Sequence, residues 1–483
     1  MSRLGWLPHA DRASPWPQLR VVVAGIGVSG FAAADALLRL GASVVVVDER
    51  NDDEVQEQAT LLQVLGADVR LGAGAAQRPP RPVDLVVTSP GWRPDAPLLA
   101  AAAATGLPVW GEVELAWRLR DLERPAPWLC VTGTNGKTTA VTMLAAILQA
   151  AGLRASAVGN VGRPVLASVL DPEPYDVLAV ELSSFQLHWT SALSARAAAV
   201  LNLAEDHVDW HGSMQAYVLD KGRIYANAQV ACVYNTADPL TEELVHQAEV
   251  AEGCRQVGFT LGVPAVGMLG VVDGALADRA FVDDLAADAA ELGRIEDVQP
   301  AGPHNIANAL AAAALARAHG VPPAAVQAGL RGFRPGEHRI TEVGRLNGVG
   351  YVDDSKATNP HAAAASLQTF EPVVWIAGGL AKGASFDELV PQVRDRLRAV
   401  VVIGVDRLLI AEALARHAPD VPVIELGDTE TAVMDRAVRA AAGVARPGDT
   451  VLLAPGCASM DLFRDYAARG DAFAAAVERL GGR

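Results

Sequence analysis

Leu129-Cys-Val-Thr-Gly-Thr-Asn-Gly-Lys-Thr-Thr139 runs from a short apolar strand through a glycine-punctuated turn into the helical stretch Val141 to Ala150. Backbone N–H groups of such a turn can cradle phosphates, the Lys137 ammonium can neutralise the outer phosphates of a nucleotide, and Thr138 can ligate Mg2+. The strict GxxxxGK[ST] spacing is broken, because its first glycine would fall on Val131. The strand–loop–helix order is kept, and it predicts ATP binding at Gly133, Thr134, Asn135, Gly136, Lys137, Thr138 and Thr139.

On both sides of this loop, short β-branched runs alternate with longer Ala/Leu-rich stretches. Val21 to Ala24, Val44 to Val47, Leu85 to Thr88, Val177 to Val180, Ala198 to Asn202, Val373 to Ile376, Val400 to Ile403 and Thr450 to Leu453 read as strands. Continuous apolar strands between helices imply βαβ units and parallel sheets covered on both faces, an α/β protein. At roughly 150 residues per domain, the 483 residues call for about three domains. The proline-broken segment Asp121 to Pro127 and the glycine-punctuated Arg331 to Gly336 set their boundaries at 1–123, 124–333 and 334–483. The stretch 261–300 reads as hairpins or loops, and Ala100 to Ala104 as a short surface helix.

A second phosphate-type turn, Gly25-Ile-Gly-Val-Ser-Gly30, follows the first strand, opens a helix, and is trailed by Asp48. Alone it leaves three readings open: NAD, another phosphorylated ligand, or a tight structural turn. Composition narrows the partners. A net charge of −16 argues against a nucleic-acid binder, so any anion must be held by local sites. Four cysteines without CxxC spacing favour a reducing compartment, and no apolar stretch reads as an export signal or a membrane span, so the cytoplasm is expected.

Val158-Gly-Asn-Val-Gly162, Glu181-Leu-Ser-Ser-Phe-Gln-Leu187 and Leu201 to Asp209 begin at or just past strand C-termini, the edge where open α/β sheets bind ligands. Mg2+ takes few carboxylates plus phosphate oxygens, which singles out Glu181 and His207 beside the loop.

These motifs, with Gly302-Pro-His-Asn-Ile-Ala-Asn308, His338-Arg339, Asp353-Asp-Ser-Lys-Ala-Thr-Asn359 and Gly378-Gly-Leu-Ala-Lys-Gly383, resemble the Mur ligases over nearly the whole chain. Asp-Ser-Lys-Ala-Thr-Asn is most similar to the members that add D-glutamate to UDP-N-acetylmuramoyl-L-alanine. The resemblance implies a Rossmann-like N-terminal domain, a central P-loop ATPase-like parallel-sheet domain and a Rossmann-like C-terminal domain. The first takes the UDP-substrate through Gly27, Val28, Ser29, Gly30, Asp48, Arg50, Ser89, Pro90 and Gly91, helped by Asn160 and His207 of the second. Glu49 stands where a small hydroxylated residue is expected.

It further implies ATP contacts from Asn305, Asn308, Arg339 and Asp354, and D-glutamate contacts from Thr358, Lys382, Ser459, Met460 and Tyr466. Met460 and Tyr466 replace an expected Leu and Phe. Lys137, Glu181, His207, Lys221 and Lys356 are the implied catalytic set. Thr138 and Glu181 would hold one Mg2+ ion, and His207 with a carbamylated Lys221 a second. A monomer whose third domain closes over ATP is expected.

Overall fold

The α/β pattern is realised as three sheets in three domains; the computed structural model describes residues 4–300, 302–427 and 432–482. Met1 to Arg3, part of the stretch read for an export signal, lie outside the described residues. No helix among the described residues is long and apolar enough to cross a membrane.

The first sheet contains β1 (Arg20–Ala24), β2 (Ser43–Asp48), β3 (Asp68–Leu71), β4 (Leu85–Thr88) and β5 (Val109–Gly111), all parallel, in the order β3-β2-β1-β4-β5. The run Val21-Val-Val23 shows no polar alternation because both of its faces are covered. Val21 and Val23 pack with Ala33 and Leu37 of the helix Val28–Arg39, and Val22 packs with Leu98, Leu99 and Ala102. The last three belong to the helix Pro97–Ala104. The Ala100 to Ala104 run is helical and lies at the surface: Ala100, Ala103 and Ala104 are exposed, while Ala102, with Leu98 and Leu99 before it, is buried against the sheet.

The second sheet contains β6 (Trp128–Thr132), β7 (Ala155–Gly159), β8 (Val177–Glu181), β9 (Ala197–Val200), β10 (Ala231–Asn235), β11 (Arg255–Phe259), β12 (Met268–Val272), β13 (Ala275–Asp278) and β14 (Ala290–Arg294). Its order is β14-β13-β12-β11-β10-β9-β6-β8-β7, parallel up to β12 and antiparallel from β12 to β14. Asp273 and Gly274, at φ 49° and 76°, join β12 to β13 as a two-residue hairpin turn. Because β8, β6 and β9 are adjacent and parallel, the loops after them leave the same edge of the sheet.

The third sheet contains β15 (Thr341–Leu346), β16 (Val349–Asp353), β17 (Val373–Gly378), β18 (Leu397–Ile403), β19 (Val423–Glu425) and β20 (Thr450–Leu453), in the order β15-β16-β20-β17-β18-β19. The sheet is parallel, as expected, apart from one edge strand, β15, which runs antiparallel to β16. Asn347-Gly348, at φ 50° and 78°, forms the tight turn that allows it, and a two-residue connection can only return antiparallel.

By packing, the chain divides into two units, Met1–Asp297 with Ala307–Gly332, and Val298–Ile306 with Phe333–Arg483. Within the first unit the first two sheets share a core: Trp117 of the helix Glu112–Leu119 meets Trp128 of β6 edge-on at 5.0 Å. Glu114 accepts from the backbone N–H groups of Ser191 and Ala192 and pairs with Arg118.

Candidate functional site

The loop after β6 is shaped by glycine. Gly133 adopts φ 156° and Gly136 φ 83°, and a Cβ on Gly136 would come within 2.4 Å of the Asn308 Oδ1. The helix Lys137–Ala150 then starts with no side chain capping its N-terminus, whereas the helices that follow Asp52, Ser183 and Ser213 are capped by those residues. A helix N-terminus with its own N–H groups uncapped is suited to an anion. Lys137 Nζ folds over the loop, 2.8 Å from the Gly133 carbonyl oxygen and 2.9 Å from that of Thr134.

Neighbouring strands hold the loop from outside. Asn202, just past β9, accepts from Asn135 N at 2.8 Å and donates to the Asn135 oxygen at 3.1 Å. The Thr134 hydroxyl lies 2.9 Å from the Tyr217 hydroxyl. Asn202 and Tyr217 are absent from the sequence-derived set. Asn202 lies inside the Leu201 to Asp209 motif, and Tyr217 carries no local signal, since its role depends on a contact 83 positions away.

Glu181 ends β8 almost fully buried. Its Oε1 accepts from Asn160 Nδ2 at 2.8 Å, and its Oε2 is buried with no hydrogen-bond partner among the described residues. An unpaired buried carboxylate oxygen is costly and suits a cation. Among the described residues no group of three or more His, Cys, Asp or Glu side chains could hold a metal unaided. A single such oxygen beside a phosphate loop fits Mg2+, which completes its shell with phosphate and water oxygens.

Lys221 is fully enclosed on the helix Met214–Gly222. Its Nζ donates to the Gly133 oxygen at 2.7 Å and sits 4.7 Å above the Tyr217 ring. Burial, reinforced by the nearby Lys137 charge, pushes its ammonium well below the ordinary lysine range. His207 precedes the helix Val208–His211 at φ 54°, is partly exposed, and packs its ring 4.8 Å from that of Phe185. Thr138, half-buried, lies in the first turn after the loop.

A cleft of about 610 Å³ opens in the first domain, lined by Gly27, Val28, Ser29, Asp48, Arg50, Ser89, Pro90 and Gly91 among others. Asp48 organises it, accepting from Ile26 N at 3.0 Å and Arg50 N at 2.9 Å and pairing with the Arg50 guanidinium. Burial would raise its pKa, but these partners overcome it and hold the carboxyl below the usual range. Gly30 lies beneath the cleft rather than on its wall: its Cβ position is 1.9 Å from the Gly25 oxygen. Asn160 and His207 are not among the lining residues. Trp92 and Arg93 are, although no sequence motif points to them.

In the third domain, Asp354 follows β16 and takes the Ser366 hydroxyl; burial pushes its carboxyl up to about 6, against the Ser366 hydrogen bond and the Arg339 charge. Lys356 Nζ stands 3.9 Å above the Tyr466 ring. An antiparallel bridge between Leu380 and Ala458 brings the loop of Lys382, at φ 50°, beside Ser459. Ser459 is buried, Thr358 half-buried, and Met460 and Lys382 are exposed. Asn305, in the first turn of the helix Pro303–His319, is buried, as is Asn308 one turn on. Arg469, unforeseen from sequence, is buried and donates to Ser355 and to the Cys457 oxygen, tying the segment before Lys356 to that before Ser459.

Comparison with known proteins agrees with this layout. Residues 19–111 match the MurD-like N-terminal domain of Mur ligases, 131–316 the Mur ligase middle domain, and 338–457 the Mur ligase glutamate ligase domain. The UDP-N-acetylmuramoylalanine--D-glutamate ligase of Streptomyces avermitilis is 62% identical, covering 96% of this chain and 99% of its own. That of Mycolicibacterium smegmatis is 49% identical, covering 97% and 98%. The crystal structure of the MurF ligase from Thermotoga maritima in complex with ADP shares the fold at 17% identity, with TM-score 0.56 over 98% of both chains. With such identity over almost its full length, this chain belongs to the Mur ligase family.

Proposed function

We propose that the chain joins the amine of D-glutamate to the carboxylate of UDP-N-acetylmuramoyl-L-alanine with conversion of ATP to ADP and phosphate, a cytoplasmic step of peptidoglycan synthesis carried out by a monomer. The observation that carries this reading is a glycine-shaped phosphate loop beside a buried carboxylate oxygen without a partner, in a chain 62% identical to a curated D-glutamate ligase.

A carboxylate resists an amine because its carbonyl is electron-rich and oxide leaves poorly. Phosphoryl transfer from ATP gives an acyl phosphate; the D-glutamate amine adds to its carbonyl carbon, and the tetrahedral intermediate expels phosphate. The protein's share is positioning and charge neutralisation.

Domains 1–123, 124–333 and 334–483 divide the work. In the first, the cleft residues Gly27, Val28, Ser29, Asp48, Arg50, Ser89, Pro90 and Gly91 take the UDP end, with Gly30 closing the turn. In the second, Gly133 to Thr139 wrap the ATP phosphates and Lys137 neutralises the γ-phosphate, while Asn160 and His207 steer the muramoyl end. Asn305, Asn308, Arg339 and Asp354 serve the rest of ATP. Lys356 assists the reacting groups, and Thr358, Lys382, Ser459, Met460 and Tyr466 seat D-glutamate.

Bound Mg2+, two ions in this reading, supplies positive charge to the phosphate oxygens. Thr138 and Glu181 would hold one ion, His207 and a carbamylated Lys221 the other. The carbamate is chemically accessible: burial favours the neutral amine, and that amine adds to CO2 with loss of a proton.

The test measures ADP and phosphate release with UDP-N-acetylmuramoyl-L-alanine, Mg-ATP and a panel of amino acids. D-glutamate is expected to support turnover alone; equal rates with L-glutamate, L-lysine or D-alanine would overturn the assignment.

A further inference from the structure

Asp220 stands one residue before Lys221 on the helix Met214–Gly222, and its carboxylate is buried. Oδ2 accepts from His188 Nδ1 at 2.8 Å and from His211 Nδ1 at 3.0 Å, and Arg223 Nε meets Oδ1 at 3.0 Å. His211 Nδ1 donates to Asp220, and the Ser184 hydroxyl lies 2.9 Å from the other ring nitrogen, Nε2. The connectivity is that of a Ser-His-Asp triad. Its burial excludes that chemistry, however: the His211 side chain is 0% exposed and Ser184 is buried, so no acyl group can reach the hydroxyl.

The members of this cluster sit on three short elements that bear residues of the proposed site. The helix Ser184–His188 begins three residues after Glu181, the helix Val208–His211 follows His207 directly, and the helix Met214–Gly222 carries Lys221. Phe185 reinforces the link, its ring 4.8 Å from that of His207 and 5.6 Å from that of His211. On the third helix Tyr217, Asp220 and Lys221, spaced i, i+3, i+4, form one buried face. Tyr217 and Lys221 reach the phosphate loop at Thr134 and Gly133, while Asp220 reaches the other two helices.

Helices of 5, 4 and 9 residues do not hold themselves by propensity, and apolar packing alone permits sliding. One carboxylate shared by two imidazoles supplies the missing directionality. We infer that Asp220, acting through His188 and His211, is a positioning residue that keeps the elements bearing Glu181, His207 and Lys221 in register around the phosphate loop. The inference rests on the proposed roles of those three residues.

The test uses the full chain and the variants D220N, D220E, H188Q, K221M and E181Q. Readouts are Mn2+ affinity by electron paramagnetic resonance in the presence of ADP, steady-state kinetics, and thermal midpoint. D220N is expected to weaken Mn2+ binding and lower kcat by roughly 10- to 100-fold, the size seen when groups supporting metal ligands are removed, with the KM for D-glutamate unchanged. D220E is expected to recover part of both. H188Q, which alters a partly exposed imidazole and leaves the buried carboxylate in place, is expected to lose a smaller share and keeps the inference testable should D220N fail to fold. D220N or H188Q within twofold of the wild type in both Mn2+ affinity and kcat overturns the inference. K221M and E181Q report separately on the underlying reading: if both retain the wild-type rate, the proposed roles of Lys221 and Glu181 fall. If both lose it while D220N does not, only the positioning role of Asp220 falls.

Discussion

Glu181 turns one carboxylate oxygen to the Asn160 amide, 2.8 Å away, and keeps the other buried with no hydrogen-bond partner among the described residues. The fold thereby retains a buried polar oxygen that ordinary packing would pair, which costs free energy until a ligand satisfies it.

This arrangement predicts that Glu181→Gln separates metal binding from stability. Mn2+ affinity should fall at least about tenfold, whereas the metal-free protein should melt within a few degrees of the wild type, because the amide oxygen of Gln can keep the Asn160 hydrogen bond. Calorimetry with and without Mn2+ checks both. Unchanged affinity would remove Glu181 from the site.

Lys137 makes two hydrogen bonds to loop carbonyls, at 2.8 Å and 2.9 Å, that water can replace at this half-exposed position. Lys137→Ala should therefore leave the thermal midpoint within a few degrees of wild type while ADP release drops on the order of 10²- to 10³-fold, the scale for losing one preorganised charge partner of a transition state. A near-wild-type rate in a folded variant contradicts the role given to this lysine.

The first-domain turn separates folding from binding at two glycines three positions apart. A methyl on Gly30 would sit 1.9 Å from the Gly25 backbone oxygen, whereas one on Gly27, at φ −64°, meets nothing within 4 Å. Gly30→Ala should destabilise by about 3 kcal/mol or more, since backbone must move. Gly27→Ala should melt like the wild type yet raise the KM for the UDP-substrate, its methyl projecting from the cleft wall. Urea unfolding with steady-state kinetics distinguishes the two, and equal stabilities would refute the packing argument.

Glu112 offers a pH test away from the chemistry. It is fully buried, accepts from Leu166 N at 2.6 Å, and burial pushes its carboxyl from an ordinary 4.5 up to about 7. Between those values the folded state holds a proton that the unfolded state has released, so this group's contribution to stability falls as pH rises from 4.5 to about 7 and is constant above. Glu112→Gln keeps a carbonyl acceptor for Leu166 and removes the titration. Its stability advantage should grow across that window to about 3 kcal/mol at most. Parallel denaturation curves at pH 5 and pH 8 with an unchanged difference would contradict this assignment.

Much of the fold was legible because its signals are local. The runs Val21 to Ala24, Leu85 to Thr88 and Thr450 to Leu453 are buried on both faces and so read as unbroken apolar strands. The hairpin turns Asp273-Gly274 and Asn347-Gly348 are equally local signals, since both residues of each turn adopt positive φ, and the second turns the edge strand β15 antiparallel to β16. The run Ala100 to Ala104 was legible as a surface helix, and three of its five alanines are exposed.

From the sequence by itself came the turn chemistry at Gly25 to Gly30 and Gly133 to Gly136, the alternation of strand and helix, and the identity of Lys137, since these depend on residues a few positions apart. Only the tertiary structure decided that Glu181 keeps one oxygen unpaired, that Lys221 is enclosed against Gly133, and that Asp220 joins His188 and His211. Those facts arise where segments between nine and 88 residues apart are packed together, and burial and shared hydrogen bonds exist only once the segments meet.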